Sequence, residues 1–165
     1  IAEDNQKDIE FAINIETITA YHNIDEILAL KKLDILKSIT IGRVDFTASM
    51  GKDRTFANSD EMLEMCTDIF KKCRDKGLRT AVGGAVSPES KEFLTTLVSQ
   101  KLIDKYETRK TVYEASAINT IDEGLKAGIL FELLWLKSKR RYYHRIKGED
   151  EKRIAMLETR IGENP

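Results

Sequence analysis

A chain of 165 residues with 41% apolar and 33% charged content is long enough for one ordinary globular domain and too rich in apolar residues for a disordered tail. A formal net charge of -1 gives no general attraction for nucleic acid or anionic lipid, and no apolar run is long enough for a bilayer-spanning helix. The expectation is a soluble, cytoplasmic protein with neither a nucleic-acid nor a membrane partner.

The chain begins at Ile1 with no initiator methionine and no secretion or targeting signal, which reads as part of something longer. The first strand runs from Phe11 to Glu16, with Phe11, Ile13 and Ile15 on one face and Ala12, Asn14 and Glu16 on the other. Asn23, with Glu26 as a capping partner, opens a short helix carrying Ile24, Ile27 and Leu28. A second strand follows from Ser38 to Gly42. Asn58 and Glu61 repeat the capping pattern before a helix with apolar residues at Met62, Met65, Cys66, Ile69, Phe70 and Cys73, stopped by Gly77. Arg79 to Gly83 is a third strand, and Ser87-Pro88 starts a helix with Phe93, Leu94, Leu97, Val98 and Leu102 inward. A fourth strand falls within residues 105–113. A long helix then covers about 118–142, and after Gly148 a last helix carries Ile154, Leu157 and Ile161.

Cys66 and Cys73 lie on one helical face, seven residues and therefore roughly 10 Å apart, too far for a disulfide. Buried reduced thiols are expected. Four βα units in one run predict an α/β fold with a parallel sheet. Four strands cannot close a barrel, so another segment supplies the rest, two copies complete each other, or the sheet is open.

Glu16 and Asp45 fall at the carboxyl ends of consecutive strands, where ligands gather in parallel α/β proteins. A carboxylate there needs a cation or a lysine or arginine partner. Oxygen donors without nearby histidine or paired cysteine select Mg²⁺, Mn²⁺ or Ca²⁺ over zinc. Gly42 either lets backbone approach a ligand or makes a tight turn, and the amides from Arg43 to Asp45 present donors to a carboxylate, with the loop Ala48–Gly51 following. Gly83-Gly84 carries the same two readings. His22, in a loop, is either a surface residue or a proton carrier.

The run Ile13 to Thr17, then Ala20, Asn23-Ile-Asp-Glu-Ile27, Gly42-Arg-Val-Asp45-Phe46 and Ser49-Met-Gly51 resembles the aldolase/citrate lyase family of TIM barrels. The likeness is strong from Phe11 to Gly51 and loose to about Tyr113. It implies that residues 1–165 form the carboxyl-terminal half of a (β/α)8 TIM barrel, about four βα units plus terminal helices over 118–165 packing on a neighbouring subunit of a homo-oligomer. It further implies that Glu16 and Asp45 hold Mg²⁺ or Mn²⁺ and that Gly42, Arg43, Val44 and Asp45 bind the substrate. The implied activity is a metal-dependent carbon–carbon lyase or aldolase acting on a 2-oxo acid through a metal-stabilised enolate. Alternatives are an acyl-CoA lyase of the citryl- or malyl-CoA type and a non-catalytic barrel subunit or scaffold. Two departures stand out: Arg43 replaces a common proline and Phe46 a leucine. The family's first four strands, with the arginine that meets the substrate carboxylate and much of the acid/base apparatus, have no counterpart. The basic aromatic run from Lys137 to Lys147 is either a solvated helix face or a contact for nucleic acid or a phosphorylated ligand such as coenzyme A.

Overall fold

The computed structural model describes residues 9–161; the start at Ile1 and the side chain of Ile161 lie outside them. The chain divides into two compact units, Ile1–Lys126 and Ala127–Pro165. Strand and helix alternate as the apolar pattern demands: β1 (Phe11–Ile15), α1 (Ile18–His22), α2 (Ile24–Leu28), β2 (Leu36–Gly42), α3 (Arg43–Ser49), α4 (Asp60–Asp75), β3 (Arg79–Gly83), α5 (Lys91–Ser99), β4 (Lys105–Glu107), β5 (Val112–Glu114) and α6 (Ile121–Ile161). Strands β1 to β4 are parallel and adjacent in chain order, and β5 returns antiparallel on β4. Among the described residues the sheet has five strands and does not close on itself.

The register pairs Ile15 with Ile41, Gly42 with Gly83, and Val82 with Tyr106. Ile15, Ile39, Ile41, Val82 and Tyr106 are all at most 1% exposed and join Phe70, Leu94 and Leu97 of the helices in one core. Alternation then sends Asn14, Thr40, Gly42, Ala81, Gly83 and Glu107 to the opposite face of the sheet. The apolar side expected of the first strand is buried only at its end. Ile13 is 36% exposed because β1 pairs with β2 alone among the described residues, leaving its middle outside the core.

Several boundaries differ from the sequence reading, each for a local reason. Asn23 stands at the start of α2 as expected but makes no side-chain cap, and an additional helix precedes it, α1, where Thr17 Oγ1 accepts from the Ala20 amide at 3.0 Å. Ser59 rather than Asn58 caps α4, accepting from the Met62 amide at 3.2 Å, because the Asn58 side chain is engaged elsewhere. Gly77 does end α4, at φ +71, with its amide donating to the Arg74 carbonyl. The expected fourth strand is a hairpin, since Thr108 and Thr111 hydrogen-bond across a turn and Tyr106 and Tyr113 stack at 5.1 Å.

The second unit belongs to α6, which passes through Gly148 without a break, so the two terminal helices are one. A glycine inside a helix costs only about 1 kcal/mol, too little to stop it without a capping geometry. Ile154 and Leu157 on this segment are exposed, as are Leu134 and Trp135 upstream. No helix among the described residues is long and apolar enough to cross a membrane.

Both cysteines are buried, and burial pushes each thiol up to about 12. Unfolded thiols ionise near 9, so the folded state binds more protons above that pH and this contribution to stability is lost as pH rises from about 9 to about 12. Native protein is expected to leave both thiols unreacted with a disulfide reagent at pH 8, and denatured protein to release both. Ser59→Ala is expected to lower stability by about 0.5–2 kcal/mol in urea unfolding through the lost cap.

Candidate active site

The chain leaves β1 through Glu16 because Thr17 turns it into α1, so the glutamate stands at the carboxyl end of the strand. Asn14, two residues back on the same face, donates to Glu16 Oε1 at 3.1 Å. On the neighbouring strand end, a Cβ at Gly42 would lie 2.5 Å from Glu16 Oε1 and 2.7 Å from its Cγ. The carboxylate therefore rests on a surface that only glycine leaves open. Gly42 is also the N-cap of α3, and Asp45 lies exposed in the first turn of that helix. Helix geometry puts Asp45 roughly 5–6 Å beyond the glycine that Glu16 covers.

Neither Glu16 nor Asp45 meets a lysine or arginine among the described residues. Glu16 thus follows the end of β1, and Asp45 stands one helical turn past the end of β2. A further contact ties the corner together: the Ile18 amide donates to Ser49 Oγ at 2.8 Å, and Ser49 in turn donates to the Phe46 carbonyl at 2.7 Å. Ser49 therefore ends α3 as a brace, not as part of a free loop.

Arg43 is the residue whose side chain the sequence reading did not place. It is fully buried. Its Nε donates to the Gly83 carbonyl at 3.3 Å, Nη1 to the Ala57 carbonyl at 2.9 Å and to Asn58 Oδ1 at 2.7 Å, and Nη2 to the Gly84 carbonyl at 2.7 Å. The guanidinium lies 4.4 Å over the Phe93 ring. Burial pushes its pKa down to about 10, which still leaves it charged at neutral pH. Among the described residues no carboxylate balances it; dipoles and a π face do. Arg43 is 0% exposed, backbone included, and its side chain is a structural bracket.

That bracket fixes the turn after β3. Gly84 has φ +74, and a Cβ there would lie 2.7 Å from the Val44 amide nitrogen and 2.9 Å from that of Arg43. The turn thus abuts the start of α3 without covering the amides with a side chain. Gly83 serves differently, since its Cβ would meet Glu107 Cγ and Oε1 at 3.1 Å. His22 ends α1, exposed, with its ring 5.5 Å from that of Tyr21.

The family model for HpcH/HpaI aldolase/citrate lyase matches residues 3–96. The chain belongs to the HpcH/HpaI aldolase/citrate lyase family. Among solved structures it is similar to an HpcH/HpaI aldolase from Desulfitobacterium hafniense DCB-2, with 15% identity and a TM-score of 0.50 over 76% of this chain and 44% of that one. It is also similar to RipC from Yersinia pestis, with 16% identity and a TM-score of 0.51 over 69% of this chain and 52% of that one. The chain spans about half the length of these structures, and at such identity they speak for the fold alone. A comparison with curated proteins gave no match. Within this HpcH/HpaI chain, the matched segment contains Glu16, Gly42, Arg43, Asp45 and Gly84.

Sequence reasoning passed over Glu107 and read Ser49 only as part of a motif and a loop. A signal for Glu107 was present: Ile15-Glu16, Ile41-Gly42, Val82-Gly83 and Tyr106-Glu107 each place one residue directly after a buried strand position. Arg43→Met is expected to cost about 3–5 kcal/mol in urea unfolding, because several buried oxygens lose their donor at once. Arg43→Lys is expected to recover less than half of that, since one ammonium cannot span the same fork of acceptors.

Proposed function

We propose that the protein is a metal-dependent carbon–carbon lyase, an aldolase acting on a 2-oxo acid, with Mg²⁺ or Mn²⁺ held by Glu16 and Asp45. The seat of Glu16 carries this reading: an unneutralised carboxylate laid over Gly42, at the cap of the helix that bears Asp45, in a family of aldolases and citrate lyases. The donors fit a hard ion, being carboxylate oxygens with no thiolate or imidazole. No group of three or more His, Cys, Asp or Glu side chains suited to a metal exists among the described residues. A two-carboxylate site leaves coordination positions to a bidentate substrate and water. When bound, the ion would act as a Lewis acid that stabilises the enolate of the 2-oxo acid.

The chain's own groups supply the rest of the reading. The amide of Val44, over which Gly84 places no side chain, donates to the substrate carboxylate, and Gly42 keeps the floor beneath Glu16 free of a side chain. The reading takes the chain as the carboxyl-terminal half of a (β/α)8 barrel, with exposed Phe131, Leu134 and Trp135 of α6 meeting another subunit. A coenzyme A thioester is the second substrate class. It is favoured by the basic aromatic run of α6, where Lys139 lies over the rings of Trp135 and Tyr143.

Titration with Mn²⁺, followed by the loss of the free-ion resonance, tests the metal site. Glu16→Gln and Asp45→Asn are each expected to weaken binding at least about tenfold. Unchanged affinity in both variants would sink the assignment and favour a non-catalytic subunit. Calorimetry with pyruvate against coenzyme A separates the two substrate classes.

A further inference from the structure

The lyase reading leaves Glu107 unused, yet its position mirrors that of Glu16. Extending the register by one residue past Ile15–Ile41 and Val82–Tyr106 puts Glu16, Gly42, Gly83 and Glu107 in one row across β1 to β4. All four lie on the face opposite the buried Ile15, Ile41, Val82 and Tyr106. Glu16 leans over Gly42 from one side, and Glu107 leans over Gly83 from the other, its Cγ and Oε1 3.1 Å from where a Cβ would stand. Adjacent strands are about 4.8 Å apart, so the two carboxylates lie side by side, each over one of the paired glycines.

Glu107 is half-buried and meets no hydrogen-bond donor or cation among the described residues. Lys105, the nearest cation on its strand and face, pairs instead with Glu114 at 3.4 Å. A carboxylate accepts hydrogen bonds and cannot donate them, so one withdrawn from water without a donor gains from a ligand that brings a proton.

The geometry points to Glu107 as the proton-transferring residue of the site, an inference that rests on the lyase reading. In cleavage of a 4-hydroxy-2-oxo acid, its carboxylate takes the proton of the 4-hydroxyl, and the O–H electron pair becomes the aldehyde C=O. The C3–C4 bond breaks and its electron pair passes into the enolate of the 2-oxo acid. Glu107 then returns the same proton to C3. An aldehyde and a 2-oxo acid leave, and the carboxylate is restored with no other reactant consumed.

Exchange of the pyruvate methyl protons with D₂O in the presence of Mg²⁺ reads the second proton transfer alone, and Mn²⁺ and pyruvate affinities provide readouts independent of turnover. Glu107→Gln, which keeps the shape over Gly83, is expected to bind Mn²⁺ and pyruvate within about twofold of the parent while exchange falls by about 10²–10⁴. Glu107→Asp, which keeps the carboxylate, is expected to exchange faster than the glutamine variant. Equal exchange in parent and Glu107→Gln overturns the assignment and leaves the lyase reading standing. A tenfold loss of Mn²⁺ affinity in that variant also overturns it, by making Glu107 a metal ligand. A parent that shows no Mg²⁺-dependent exchange overturns the lyase reading, and the inference falls with it.

Discussion

The guanidinium of Arg43, buried with no anion opposite it, is the constraint on which the carboxyl-end face of the sheet depends. A lone buried charge is costly, and this one is tolerated because carbonyl and amide oxygens from two loops converge on it while Phe93 offers its ring face. The acceptors belong to the Ala57–Asn58 segment before α4 and the Gly83–Gly84 turn after β3. The arginine itself begins α3. One side chain therefore sets the spacing of the loops that follow two neighbouring strands. Lysine has no planar fork to do the same.

Glycine supplies the complementary half of the design. Gly42 and Gly83 end paired strands, and each yields its side-chain volume to a carboxylate from the strand beyond. Gly84, at positive φ, yields its volume to the start of α3. Bulk is thus removed from the centre of the row and charge is kept at its margins. Among the described residues Arg43, which lies next to Gly42, is turned inward and held by neutral oxygens, and neither acid pairs with it.

Much of the architecture follows from periodicity. Alternation of Ile39 and Ile41, the helical spacing from Met62 to Cys73, and Gly77 as a stop are all local properties, and the structure keeps them. The misplacements share a cause. Asn58 is a good cap by its chemistry, but its oxygen is drawn to Arg43, so Ser59 takes the cap. Gly148 looks like a break, but a helix stops only where its last carbonyls find other donors. The acid pair was readable because strand ends are local. The donor set of Arg43 was not, since its acceptors lie 14 to 41 residues away.

Residue order alone settled the class of the fold, the parallel run of strands, the family and the two acids at consecutive strand ends, because each rests on spacing within a short window. Three-dimensional packing settled what no window contains. It turned Arg43 inward, made Ser49 a brace, and aligned Glu107 with Glu16 across the two glycines. The physical reason is reach: a propensity acts over one turn or one strand, whereas a buried charge and a register row are satisfied only by partners that the folded chain brings in from far along it.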